Sequence, residues 1–363
     1  MRKRHALQMV FVMVLICAGW TAQVLAQGFD VKPQYYTVKD FKLSSGQVLP
    51  EMKIEYGTLG TPQKDAAGNI VNAVVWCHGW SGNYLQGTTM YKKIFGPGNP
   101  MDPTKYFIIF PTALGSPGSA SPSTSGLGPK FPKYTFVDMI NAQYLLVTQH
   151  LGIKHLDGVA GGSMGGSQTL QWITQYPDFM DWAIPIATGP STTGRNVGIW
   201  GLMSETIKAD PAYMNGEYKQ QPKDGLRRAF MGTYLWYFSP AYYQTQFRTP
   251  EAVMKGIESA GMGSEKMDAN DIIWRNNAYI GFNTTADLSK VKAKTLVVGV
   301  NSDELFPPAT EFIPIVMGIP GAKLFAYDSM LGHLGNIQDI DKANPVILQF
   351  LSQVSKDKKR NSS

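Results

Sequence analysis

Five consecutive residues, Gly161-Gly162-Ser163-Met164-Gly165, offer the sharpest chemistry in the chain. They match G-x-S-x-G. A short run of small apolar residues, Leu156–Gly162, precedes the serine, and a helix-like stretch, Gly165–Tyr176, follows it. A nucleophile elbow needs that context: a sharp strand-to-helix turn that presents a serine hydroxyl. Such a turn strains the serine backbone, and glycines two residues to either side let strand and helix approach closely. The helix N-terminus beneath the serine favours developing negative charge. A phosphate loop competes with this reading, but neither a following Lys nor G-x-G-x-x-G is present.

A serine is a weak nucleophile without a base. Beyond the N-terminal leader the chain offers four histidines. His150 and His155 flank a helix end and the next strand. His78 follows a buried strand in Cys77-His78-Gly79-Trp80 and reads as a loop support. His333 stands after the last strand, in Met330-Leu331-Gly332-His333, and is the candidate base in the chain order Ser, acid, His. A histidine base predicts activity that rises with pH as the imidazole loses its proton. Asp303, where a strand gives way to its loop, is the first candidate acid; Glu304 and Asp328 are its rivals. The tetrahedral intermediate needs backbone donors, which fall to the amides of Met164 and Trp80.

Alternating strand and helix patterns must position these residues. Met52–Gly60, Ala73–Cys77, Tyr106–Phe110, Leu156–Gly162, Trp182–Ala187, Thr295–Val300 and Lys323–Tyr327 read as strands. Phe136–Leu151, Gly165–Tyr176, Thr310–Met317 and Asn344–Val354 read as helices. Short apolar β-branched runs between helices imply a parallel sheet covered on both faces. The long Gly, Ser and Pro-rich loop from Thr112 to Pro129 is a candidate functional loop. Residues 190–290 break the alternation and read as an inserted helical lid, dividing the core into 27–189 and 291–355. Aromatics crowd this lid. Phe230, Tyr234 and Trp236 are candidate substrate-binding residues, and a lid core of its own is the plainer role for such side chains.

Hydrophobic residues make up 44% of the 363 residues and charged residues 17%, which fits a globular domain. Arg2, Lys3 and Arg4 precede an apolar run from Met9 to Trp20, and Val24 and Ala26 fit a cleavage site. Residues 1–26 are expected to be a signal peptide, the mature chain starting at Gln27 in the periplasm or outside the cell. The run is too short for a stable membrane anchor. The net charge of +6 sits at the two ends: in the signal segment and in residues 356–363, read as a basic flexible tail. The near-neutral body argues against a nucleic-acid partner. Cys77 is the only cysteine left after cleavage, so no intramolecular disulfide is expected. No Cys/His cluster has zinc spacing, and neither metal nor cofactor is expected. The expected partner is a small-molecule ester, and a homodimer is compatible with the chain.

At these residues the chain resembles the homoserine O-acetyltransferase family of the α/β hydrolases. Gly161-Gly162-Ser163-Met164-Gly165-Gly166 matches its GGSMGG, and Leu114-Gly115-Ser116-Pro117-Gly118-Ser119 resembles its LGS-x-GS loop. Phe131-Pro132, Asp138-Met139 and Ala142-Gln143 resemble the FP…DMV…AQ stretch that follows. Ser302-Asp303-Glu304-Leu305-Phe306-Pro307-Pro308 resembles its SD-x-LFPP acid loop, and Gly332-His333 its GH. The resemblance implies an α/β-hydrolase fold and a triad of Ser163, Asp303 and His333. Three departures separate this chain from that family. Leu334 follows His333 where the family has an acidic residue. Phe230 replaces the family's carboxylate-binding arginine in Gly225-Leu226-Arg227-Arg228-Ala229-Phe230. Ser119-Ala120-Ser121-Pro122 replaces its STGP. An exported esterase is therefore expected first, with an O-acyltransferase as the alternative.

Overall fold

The computed structural model describes residues 29–362; the expected signal peptide lies outside them. Eight strands form one sheet: β1 (Gln34–Lys42), β2 (Val48–Leu59), β3 (Ala73–Cys77), β4 (Phe107–Pro111), β5 (Leu156–Gly162), β6 (Met180–Ile186), β7 (Lys294–Val300) and β8 (Lys323–Tyr327). Their order across the sheet is β1-β2-β4-β3-β5-β6-β7-β8. The pairs β1–β2 and β2–β4 are antiparallel, and every later pair is parallel. β3 carries Ala73-Val74-Val75-Trp76-Cys77, all buried, because helices cover both faces of a parallel strand. Val75 and Cys77 join one apolar cluster with Trp172 and Met139, whereas Val74 and Trp76 join another with Tyr91 and Ile347. Alternation along the strand thus feeds both cores.

The helices are α1 (Gln86–Met90), α2 (Phe136–Leu145), α3 (Met164–Gln175), α4 (Gly194–Lys208), α5 (Lys223–Tyr234), α6 (Pro240–Gln246), α7 (Pro250–Gly261), α8 (Ala269–Ile280), α9 (Phe312–Gly318), α10 (Gly335–Gln338) and α11 (Asn344–Ser362). α2 starts at Thr135, whose backbone N–H donates to Asp138 Oδ2 at 2.8 Å, a reciprocal cap. Helices α4 to α8 all lie between β6 and β7, the stretch read from sequence as a lid.

Several elements differ from expectation: α1 and α10 were not anticipated, and the helix expected over Phe136–Leu151 is α-helical only to Leu145. The N-terminal strand β1 was not anticipated, because its mostly exposed residues lack the apolar run of a central strand. The last helix does not stop at Val354 but runs to Ser362, over most of the stretch read as a flexible tail. Lysine is a good helix former, and cations near a helix C-terminus suit its dipole. Lys358 also bridges Asp157 at 3.2 Å and Asp181 at 2.6 Å, tying this helix to the beginnings of β5 and β6.

Candidate active site

The elbow is built from close approaches. Ser163 follows β5 directly and caps α3 with φ 58° and ψ −124°, a left-handed conformation that a serine rarely adopts. Its N–H donates to Ile186 O at 2.9 Å, which pins the turn to β6. A Cβ on Gly161 would lie 2.5 Å from Cys77 O, and one on Gly165 would lie 2.2 Å from the same oxygen. Only glycine allows β3, β5 and α3 to meet so closely.

The structure brings together the three residues singled out from the sequence. His333 Nε2 lies 2.9 Å from Ser163 Oγ, and His333 Nδ1 lies 2.7 Å from Asp303 Oδ2. A carboxylate can only accept, so Nδ1–H donates to Asp303 and Nε2 is left to accept from the serine hydroxyl. Asp303 is 2% exposed. Its second oxygen accepts from Leu305 N at 2.9 Å and Phe306 N at 2.8 Å, which fixes the carboxylate. The rivals stand elsewhere. Glu304 is paired with Arg195, 3.4 Å away, on the surface. Asp328 accepts from Asn301 Nδ2 at 2.7 Å.

The inserted helices brace the histidine loop. Ser239 Oγ donates to Met330 O at 2.6 Å, and Leu334 N donates to Tyr237 O. Gly332, with φ +56°, packs so tightly that a Cβ would sit 2.5 Å from Ser239 N. A glycine directly before the histidine is what this crossing requires.

The loop carrying Trp80 lies against the elbow: a Cβ on Gly79 would stand 3.4 Å from Gly162 O. His78 is buried there, with Nδ1 2.7 Å from Gly79 O and Nε2 accepting from Ala113 N at 2.9 Å. Burial pushes its imidazole down to about 4, so it is neutral and holds the loop rather than moving protons. Met164 opens α3, where first-turn amides have no partner inside the helix.

The aromatic residues expected at the substrate are split among three settings. Phe230 is 3% exposed and packs edge-on against Trp80 at 5.9 Å between ring centres. Tyr234 is buried in a cluster with Phe238, Tyr242 and Leu334, where the insertion packs on the histidine loop. Trp236 lies under the Arg195 guanidinium, 4.7 Å from its ring centre. The first part of the Thr112–Pro129 loop, to Pro122, is mostly buried, and residues 123–127 are exposed; Ser119 Oγ donates to Thr112 O at 2.7 Å and accepts from Glu55 N at 2.9 Å. Its geometry is that of an internal brace.

Sequence reasoning missed Arg275 and Asn276 of α8, both buried and both bonded to Trp80. Their one sequence signal is a polar stretch directly after the apolar Ile272-Ile273-Trp274. It also missed Glu311, whose buried carboxyl packs over Gly189. Burial pushes Glu311 up to about 7; the nearby Asp303 charge adds to this and Arg195 opposes it. The folded value lies above the ordinary 4.5, so this group's contribution to stability is full below about pH 4.5 and is lost as pH rises through 7. Glu311→Gln removes that loss. Urea unfolding at pH 5 and pH 8 should show the variant gaining on the parent by on the order of 1 kcal/mol at the higher pH. A parent–variant difference that ignores pH would contradict this.

Comparison with known proteins agrees with this architecture. A family model described as the alpha/beta hydrolase fold matches residues 72–329. A "Probable acyltransferase" of Methanothermobacter thermautotrophicus is 38% identical over 331 residues, covering 89% of this chain and 98% of that protein. A homoserine O-acetyltransferase of Pelobacter propionicus is 30% identical, covering 88% of this chain and 96% of its own. The crystal structure of an acetylester hydrolase from Corynebacterium glutamicum matches with a TM-score of 0.79 and 28% identity, over 88% of this chain and 96% of that one. Sheet order, nucleophile turn and relatives together make this chain a member of the α/β-hydrolase fold family, alongside the homoserine O-acetyltransferases.

Proposed function

We propose that the protein is an exported serine esterase that hydrolyses neutral carboxylic esters through an acyl-enzyme on Ser163. The observation that carries this reading is the hydrogen-bonded chain from Ser163 Oγ through His333 to Asp303. His333 Nε2 takes the hydroxyl proton as Ser163 Oγ attacks the ester carbonyl. The amides of Met164 and Trp80 hold the oxyanion, and Asp303 stabilises the imidazolium. Collapse expels the alcohol, which takes the proton from His333. Water then repeats the sequence on the acyl-enzyme, with His333 as base, and releases the acid.

Two apolar residues favour water and neutral esters over an amino-acid acceptor. Phe230 is buried where the resemblance expects a carboxylate-binding arginine, and Leu334 is buried where it expects an acid. An unpaired carboxylate placed against such side chains would lose hydration without compensation. Among similar proteins, one is named an acetylester hydrolase and another a homoserine O-acetyltransferase, so a short acyl group, acetyl first, is part of the proposal. Export rests on residues 1–26, and residues before Val24 retained on the exported protein would contradict cleavage after Ala26.

The similarity to acyltransferases supports a second reading, in which an alcohol intercepts the same acyl-enzyme. Product partition tests the two. With a neutral acetyl ester and added homoserine or simple alcohols, the esterase reading expects most acyl groups to reach water. Its catalytic efficiency should also climb over a short series of lengthening neutral alcohol portions, by up to nearly fourfold per buried methylene. Preferential transfer to homoserine, or faster turnover of O-acetylhomoserine than of neutral esters, would put the transferase first.

A further inference from the structure

Arg275 is a buried cation outside the triad, and it sits on the loop that supplies the second oxyanion donor. It is 2% exposed. Its Nη1 donates to Trp80 O at 2.8 Å, its Nη2 donates to Gly115 O at 3.0 Å, and its guanidinium lies 5.2 Å from the Trp80 ring centre. The neighbouring Asn276 Oδ1 accepts from Trp80 Nε1 at 2.9 Å. Trp200 of α4 stacks on the same indole, with ring centres 5.8 Å apart.

The peptide before Trp80 is held as well. Gly79 O accepts from His78 Nδ1 at 2.7 Å and from Gly82 N at 3.0 Å. Gly79 C=O and Trp80 N–H belong to one planar peptide, so fixing the carbonyl aims the amide. Trp80 is thus clamped on the preceding peptide by His78, on the following peptide by Arg275, and at the indole by Asn276. Two of these three clamps come from α8, inside the inserted segment.

Stability alone is a poor reason for this arrangement. Desolvating a guanidinium is costly, and Arg275 Nε has no hydrogen-bond partner among the described residues. Burial pushes the Arg275 guanidinium down from its ordinary value, which nearby Tyr134 and Asp271 only partly offset, and Asp271 itself accepts from Ser123 N and Oγ. A cation held with incomplete pairing beside a backbone donor is suited to a different task. It fixes that donor, and it adds positive potential where an oxyanion develops away from water.

We propose that Arg275 is a positioning residue for the oxyanion hole, setting the Trp80 amide from the inserted helical segment through the Trp80 and Gly115 carbonyls. The proposal rests on the acyl-enzyme reading above. It makes the insertion part of the catalytic framework as well as a cover.

The test uses Arg275→Lys and Arg275→Met in the full chain. Lysine keeps the charge but cannot bridge two carbonyls as the planar fork does; methionine loses both. Active sites are counted by end-point labelling with a fluorophosphonate, and kcat on p-nitrophenyl acetate is expressed per labelled site, so loss of folded protein does not mimic the effect. Removing one oxyanion donor costs about 100-fold or more, and misaiming one should cost about tenfold or more. The drop should be larger for methionine, KM should change less than about threefold, and labelling should slow in parallel. The midpoint of the pH–kcat profile should stay in place, because the histidine and acid are untouched. If Arg275→Met does not fold, Arg275→Lys carries the test alone. A labelled variant with kcat per site within about twofold of the parent would overturn the proposal and leave the acyl-enzyme intact. A parent that the reagent does not label at Ser163 would overturn both.

Discussion

Ser163→Ala should lower kcat on a neutral ester by on the order of 10⁴ or more and leave the protein folded. The serine hydroxyl donates to His333 Nε2 at 2.9 Å, and alanine leaves that base with no nucleophile to activate. The backbone should tolerate the change. Ser163 already holds φ 58°, and alanine has the same Cβ to accommodate there. The turn is fixed by the Ser163 N to Ile186 O bond and by the glycines around it, not by Oγ. Steady-state rates on purified protein check this, with thermal unfolding to confirm an intact fold. Retention of more than about a tenth of parental activity would contradict the assignment.

Asp303→Asn should lower kcat by about 10⁴ through the imidazole tautomer. Asp303 uses one oxygen to accept from the amides of Leu305 and Phe306 and the other to accept from His333 Nδ1. An asparagine must keep its oxygen toward the two backbone amides, which turns its NH₂ toward His333. Nδ1 then has to accept, the ring proton moves to Nε2, and Nε2 can no longer take the proton of Ser163. Glu304→Gln is the matched control. Glu304 is partly exposed and paired with Arg195, so its loss should change kcat by less than about threefold. Comparable losses in the two variants would mean that the acid is misassigned.

The three residues that the structure brings together were legible because the turn at Ser163 and the loops carrying Asp303 and His333 are local features. Gly161, Ser163 and Gly165 fall within five residues, and a short strand and a helix flank them in the sequence itself. Central strands were legible for the same reason: Ala73–Cys77 is apolar at every position because both its faces are buried. What was not legible depends on contacts between distant residues. β1 is an edge strand whose exposed residues carry little apolar pattern. Arg275 and Asn276 meet Trp80 across nearly 200 residues, so no spacing rule brings them together. The aromatic stretch from Phe230 to Tyr243 showed that the insertion has bulky side chains, but not which of them would face Trp80. Packing divided them, sending Phe230 to Trp80 and Tyr234 into a cluster with Phe238 and Tyr242. A helix long enough to reach Ser362 was hidden by the lysines of its last turns, which resemble a solvated tail until Asp157 and Asp181 appear opposite Lys358.

The covalent intermediate is the point on which the account stands. Rapid acid quenching of the parent enzyme during turnover of a neutral acetyl ester, followed by intact mass measurement and peptide mapping, reads it directly. The account predicts one acetyl group per chain, carried on the peptide containing Ser163, formed within the first turnover and absent from Ser163→Ala. Turnover with no acetyl adduct under conditions where deacylation limits the rate, or an adduct carried on another residue, would contradict it.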